Sequence, residues 1–276
     1  MVRKKVLHGI HKSHVLTDLT PTSRCLCSAL FWSLCGLIIL SSSVSQAEDL
    51  SSDPLEDYNR AVFWFNDQVD QFFFEPVAKG YDAVVPNSVQ ESVDNFFVNL
   101  RTPIYLVSDL VQLKPAQFAN HYARFMLNTT LGIVGLFDVA ESWFKLEHKT
   151  ADFGIALGSH GVGPGAYFVI PFLGPSTLRD GFGRLVDAFL NPTFYIGETG
   201  ASGREAFLIS GGLYLVDSIN SRAALLDAVD TAKEASLDYY LFVRSAYGQY
   251  REKQITGVSE KTEDDEFNFD DEPAAQ

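Results

Sequence analysis

The chain has 276 residues, with 21 Lys and Arg against 35 Asp and Glu, for a formal net charge of −14. That balance repels phosphate backbones and leaves no cluster of bases, which excludes nucleic-acid binding and a polybasic contact with anionic lipid. Hydrophobic residues make up 46% of the chain and 22 residues are Phe, so any affinity for a membrane has to be apolar.

The first segment reads as an export signal. Arg3, Lys4, Lys5, Lys12 and Arg24 stand against Asp18 alone, Cys25 to Leu40 is uncharged and apolar, and Ser45-Gln46-Ala47 offers small residues for cleavage after Ala47. The apolar core falls short of the ~20 residues a spanning helix needs. Excising residues 1–47, with five basic residues and one acidic, takes the formal charge to −18. Cys25, Cys27 and Cys35 all lie inside this segment, so the mature chain is expected to have no disulfide, thiolate metal site or cysteine nucleophile. At the other end, residues 258–276 read as an acidic disordered tail, because Glu260 to Glu272 holds eight acids with Lys261 as the only base. Residues 48–257 remain as a single, mainly α-helical domain.

Within that domain, Asp53-Pro54-Leu55-Glu56 predicts a capping box that opens a helix running to about Phe74. Val62, Phe63, Phe65, Val69 and Phe72 make it apolar over more than a narrow stripe, with Asn59, Arg60, Asn66 and Asp70 between them; a core face and a partly lipid-facing surface both fit. After Pro86, Ser88 and Glu91 repeat the capping-box pattern before a helix to about Leu100. A short apolar helix follows over Ile104 to Leu113, and Pro115 opens another that ends near Gly132. Leu131 to Leu146 is apolar with two glycines and predicts a bent helix or two short ones. Leu178 to Leu190 predicts a helix on which Arg179, Asp180, Arg184 and Asp187 share one face. From Arg204 to Ile255 the pattern is helical, with breaks near Asn220 and Ser236.

Between these helices, Phe153 to Gly183 is dense in Gly yet carries the apolar run Tyr167 to Leu173. Such a segment is neither linker nor helix; it predicts a packed, specially shaped hairpin with Ala166 to Phe172 as an extended arm. Gly158, Gly161, Gly163 and Gly165 lead into that arm, and their spacing suits either tight static packing or hinge motion.

Three blocks in order, DPLEDYNRAVFWFN from Asp53, FMLNTTLGIVGLFDVA from Phe125 and LGSHGVGPGAYFVIPFLGPSTLRDGFG from Leu157, resemble the MlaA (VacJ) family of outer-membrane phospholipid-transport proteins, over roughly Asp53 to Tyr250. The resemblance implies a ring-like helical protein in the periplasmic leaflet of the outer membrane. A polar channel would pass mislocalised phospholipid from the outer leaflet toward a soluble periplasmic lipid carrier (MlaC-like), maintaining lipid asymmetry. It also implies a trimeric outer-membrane porin as partner and makes the glycine loop a gate. Arg124, Asn128, Thr129, Asp138, Arg179 and Asp180 are polar groups flanked by apolar runs in the matching blocks, and they are expected to converge on the lipid path or else to serve local capping and ion pairing. Family members commonly carry a lipobox Cys after the signal peptide. Here Trp32-Ser33-Leu34 before Cys35 departs from the Leu-small-small pattern, so attachment without an acyl anchor is expected.

Catalytic patterns do not emerge. Gly158-Ser159-His160-Gly161 is not a G-x-S-x-G elbow, the mature histidines His121, His148 and His160 lack the HExxH spacing, and no phosphate-cradling G-x-x-x-x-G-K-[ST] occurs. No catalytic residue, cofactor or metal is expected. A lipid-translocating channel therefore stands ahead of a soluble periplasmic lipid-binding carrier, with a phospholipid hydrolase third.

Overall fold

The computed structural model describes residues 53–199 and 203–257; the expected signal peptide with its three cysteines and the acidic tail lie outside the described residues. Helix α1, Glu56–Val69, does not stop near Phe74. It passes through a π-helical turn, Asp70–Phe74, into α2, Glu75–Val84. The wider turn is what admits Pro76: the Glu75 N–H reaches back to Asp70 O, five residues instead of four, which makes room for a ring that would clash with the preceding turn of a regular helix. The helix ends instead at Val85, which Pro86 holds extended at φ −96 and ψ 118.

Helices α3 (Asn87–Leu100), α4 (Thr102–Val111) and α5 (Pro115–Thr130) follow as expected, except that no side chain caps α3 and the Ser88 capping box does not form. The expected bent helix over 131–146 is reduced to α6, Val139–Phe144. Ile133, Val134 and Gly135 all have positive φ, at 53, 58 and 91, so the chain winds back over the end of α5 and donates Val134 N–H to Thr129 O and Gly135 N–H to Asn128 O. Asp138 then caps α6 by accepting from Glu141 N–H.

Contrary to the expectation that the Gly-rich segment holds no helix, its first residues form α7, Phe153–Ser159, because Asp152 caps them by accepting from Ile155 N–H. Strands β1, Tyr167–Ile170, and β2, Gly174–Thr177, form an antiparallel hairpin in register from Tyr167↔Thr177 to Ile170↔Gly174. Helix α8, Leu178–Leu190, starts at the cap Thr177 and crosses α7 at backbone contact: a Cβ on Gly183 would sit 2.4 Å from Gly154 N. A 3-10 turn over Pro192–Thr199 leads to α9, Gly203–Ala224, α10, Leu226–Ala235, and α11, Tyr239–Thr256. The break after α9 falls at Leu225 rather than Asn220, and the one near Ser236 lies where expected.

A two-stranded hairpin is marginal alone. Here α1 supplies the missing neighbour. Asn59 donates Nδ2 to Tyr167 O at 3.1 Å and accepts Val169 N–H at 2.8 Å; Asn66, two turns on, donates to Ile170 O at 3.0 Å and accepts Phe172 N–H at 2.8 Å. The two side-chain amides stand in for peptide groups of a third strand. Asp53 does not form the expected capping box; its Oδ1 accepts from Leu55 N–H and from Asn59 Nδ2, and its Oδ2 accepts from the Tyr240 hydroxyl, which ties the start of α1 to α11.

Beside apolar core clusters around Ile104 and Tyr105 and around Tyr167, Val169 and Tyr240, many polar side chains are buried and many large apolar ones exposed. Buried positions include Asn59, Asp109, His121, Arg124, Arg179 and Asp180, whereas Trp64, Phe72, Trp143, Phe172, Leu185 and Phe207 are each more than 60% exposed. Exposed apolar surface of this extent marks contact with a membrane or another protein. Among the described residues, no helix is long and apolar enough to cross a membrane.

Candidate functional site

Helices α2, α3 and α6, the Lys145–Glu147 segment and the C-terminal end of α9 border an open cavity of about 1140 Å³. Its size exceeds the roughly 300–1,000 Å³ of ordinary ligand pockets. Most of the lining residues are polar, namely Asp82 from α2; Asn87, Gln90, Glu91, Asp94 and Asn95 from α3; Asp138, Glu141 and Ser142 from the start of α6; and Asn220 and Ser221 from α9, beside the apolar Ala223, Ala224 and Leu225. Three side-chain hydrogen bonds fix the walls. Tyr81 donates its hydroxyl to Asn220 Oδ1 at 2.8 Å, joining α2 to α9, and Gln90 donates to both Asp82 Oδ1 and Val85 O, bracing the turn between α2 and α3.

Of the six polar residues singled out in the sequence, Asp138 alone borders this cavity. Arg124 and Asn128 lie behind it and hold it. Arg124 donates to the Asp138 carboxylate and to Leu146 O, while Asn128 donates to Asp138 Oδ1 at 3.0 Å and accepts Ala140 N–H at 2.9 Å. Burial pushes the Asp138 carboxyl up, but bonds from Glu141 N–H, Arg124 and Asn128 outweigh it and keep the group below the usual carboxylate range. Thr129 accepts from Asn99 Nδ2 at 3.0 Å and so pins α3 to the end of α5. Beside this group His148 is driven down to about 4 by burial and by the charges of Arg124 and His121, which keeps it neutral at neutral pH.

Arg179 and Asp180 belong to a second group, built around α11. Asp180 accepts from Arg179 at 3.0 Å, from Arg251 at 2.9 and 3.1 Å and from the Tyr247 hydroxyl at 2.7 Å. Burial pushes this carboxyl up, yet the arginines hold it well below the ordinary range. Arg251 also binds both oxygens of the α7 cap Asp152, so one guanidinium clamps the starts of α7 and α8 to α11. Asp187, one helix face on, is pushed up to about 7 by burial and by the neighbouring charge of Asp152.

The four glycines divide by what surrounds them. Gly161 and Gly165 have left-handed φ of 81 and 65; at Gly158 a Cβ would meet Ile255 at 2.6 Å; Gly163 has open space and no positive φ. They lead to a hairpin whose tip residue Phe172 is exposed, left-handed at φ 64 and edge-on to Phe65. Ser159 and His160 are 3.4 Å apart, but His160 Nδ1 lies 2.9 Å from Ala156 O, a carbonyl that accepts only, so that nitrogen carries a proton directed at the helix end. Sequence reasoning missed the α2, α3 and α9 residues of the cavity. Their one signal was the run of amides and acids at Asn87, Gln90, Glu91, Asp94 and Asn95, which reads equally as a solvated helix face.

Comparison with known proteins agrees with this architecture. The family described as MlaA lipoprotein matches residues 51–254. The intermembrane phospholipid transport system lipoprotein MlaA of Escherichia coli (strain K12) is 35% identical over 219 residues, covering 78% of this chain and 83% of that protein. The protein of the same name from Haemophilus influenzae is 32% identical over 202 residues, covering 72% and 77%. A solved structure, reported as the structural basis for maintenance of bacterial outer membrane lipid asymmetry, superposes with a TM-score of 0.64 at 36% identity over 74% of this chain and 99% of that one. The chain belongs to the MlaA lipoprotein family.

Proposed function

We propose that this chain is the outer-membrane component of a retrograde phospholipid transport system. It takes phospholipid misplaced in the outer leaflet through the polar cavity toward a soluble, MlaC-like periplasmic carrier, and so maintains lipid asymmetry. The observation that carries this reading is a large polar cavity inside a domain whose exposed surface is rich in Trp, Phe and Leu. A phosphate headgroup crosses hydrocarbon only at great cost, and a polar path walled off from acyl chains removes that cost. Nothing in the path needs covalent chemistry, so transport is non-enzymatic and follows the lipid gradient.

In this reading the path runs past Asp82, Asn87, Gln90, Asp94, Asn95 and Asp138, with Arg124 and Asn128 fixing Asp138, and with Arg179 and Asp180 bracing the hairpin from behind. The loop around Gly161 and Gly165 serves as the hinge of the hairpin. The apolar rim holds the exported protein at the periplasmic face of the outer membrane without an acyl anchor, beside a trimeric porin. A soluble carrier would have to cover these side chains with its own fold.

The test is to delete the gene and measure outer-leaflet phospholipid on intact cells by its accessibility to added phospholipase. Wild-type protein restores asymmetry, whereas Ser221→Trp and Asn95→Trp, which fill the cavity from two walls, do not at equal abundance. Restoration by both filled variants would refute the path.

A further inference from the structure

The cavity is polar, and its polarity has one sign. Asp82, Glu91, Asp94, Asp138, Glu141 and Glu147 face it against Lys145 as the only base in its lining. Two of the carboxylates have a cation behind them: Asp138 is bound by Arg124, and Glu141 lies 3.8 Å from the same guanidinium. The other four, Asp82, Glu91, Asp94 and Glu147, form no ion pair among the described residues; Asp82 accepts the Gln90 amide at 3.0 Å. Arg101 is close enough to Asp94 to act on its charge, but it is paired with Asp217. The cavity therefore holds uncompensated negative charge that is not an accident of exposure on a convex surface, because its carboxylates converge on one space from three helices.

Resting on the transport reading above, we propose that this cavity selects among phospholipids by headgroup charge, preferring a zwitterionic headgroup that carries a primary ammonium over a net-anionic one. Both classes bring the same phosphodiester, for which Lys145 and the uncharged donors Asn87, Asn95, Asn220 and Ser221 are available on the same walls. They differ in the next group along. An ammonium adds charge-assisted hydrogen bonds to carboxylates that have no basic partner, while a glycerol headgroup adds no cation and leaves the phosphate repelled. The expected preference is about tenfold, equivalent to ~1.4 kcal/mol. Because the carboxylates are exposed to cavity water, it should shrink as salt is raised to about 0.5 M.

The experiment uses full-length mature protein in mixed micelles with equimolar, acyl-labelled phosphatidylethanolamine and phosphatidylglycerol, and a photo-crosslinker in place of Ser221. The ratio of adducts is read by mass. Wild-type protein should give about ten phosphatidylethanolamine adducts for each phosphatidylglycerol adduct. Asp82→Asn with Glu91→Gln and Asp94→Asn should bring the ratio near one, and Asn95→Lys, a single exchange that leaves the carboxylates in place, should lower it independently. An equal ratio in the wild type overturns the inference, as does a ratio unmoved by either set of variants. Absence of both adducts at Ser221, while a crosslinker at the exposed Phe207 still labels lipid, would instead overturn the transport path itself.

Discussion

Replacing Asn59 by Ala should cost more stability than any other single exchange on α1. Asn59, Val169 and Tyr167 are at most 2% exposed, so the truncation leaves Val169 N–H and Tyr167 O without partners where water does not reach. Each orphaned buried backbone group costs ~1–3 kcal/mol, and removing the desolvated amide itself returns part of that. The expected net loss is therefore ~3 kcal/mol. Asn66→Ala supplies the internal comparison: it removes the same pair of bonds from Ile170 O and Phe172 N, but at an exposed hairpin tip that solvent can satisfy, so ~1 kcal/mol is expected. Urea unfolding of the detergent-solubilised protein measures the difference, and hydrogen exchange at the Val169 amide locates it. Equal costs for the two variants, or a Val169 amide that stays protected in Asn59→Ala, would show that the helix does not complete the hairpin.

Gly165→Ala should destabilise by ~1 kcal/mol or more, since φ is 65 and the new methyl would lie 3.2 Å from Leu178, while Gly163→Ala should be neutral or raise the melting temperature slightly; thermal unfolding separates them. Asp187→Asn keeps the acceptor for Phe153 N–H and removes a carboxyl that stays protonated in the fold up to about pH 7 but ionises near 3.8 when unfolded. The wild type therefore loses stability as pH rises between those values, and the variant should match it near pH 4 and exceed it by ~2–4 kcal/mol above pH 7 in chemical unfolding at a pH series. Arg251→Leu leaves Asp180 and Asp152 without their shared guanidinium and should cost ~3 kcal/mol, with exchange protection lost first in α11.

What the sequence made legible was local. Pro115 marked a helix start, the apolar arm marked the hairpin, and Arg124 with Asp138 stood out as polar groups in apolar surroundings, whereas the short helix after Asp152 was hidden among glycines. What stayed hidden depended on partners distant in the chain. The first helix read as ending near Phe74 because nothing in the string announces a π turn, and Ile133 and Val134 read as helix because β-branched residues with positive φ run against their own preference. The cavity was least visible. Asp82, Asn95 and Asn220 are unremarkable on any helix and line one cavity only when three helices bring them together.

The asparagine ladder also bears on the order of events as the chain is made. Its bonds span 104 to 110 residues, so β1 gains its outer neighbour only after α2 to α7 have been synthesised and brought back. Closing so large a loop is slow compared with winding a helix. Helix α1 would have to wait with the Asn59 amide held by water and by Asp53 while everything between it and its strand is completed. Until then the aromatic arm Tyr167 to Phe172 is a nascent strand with an open edge, the kind of segment that pairs with another chain.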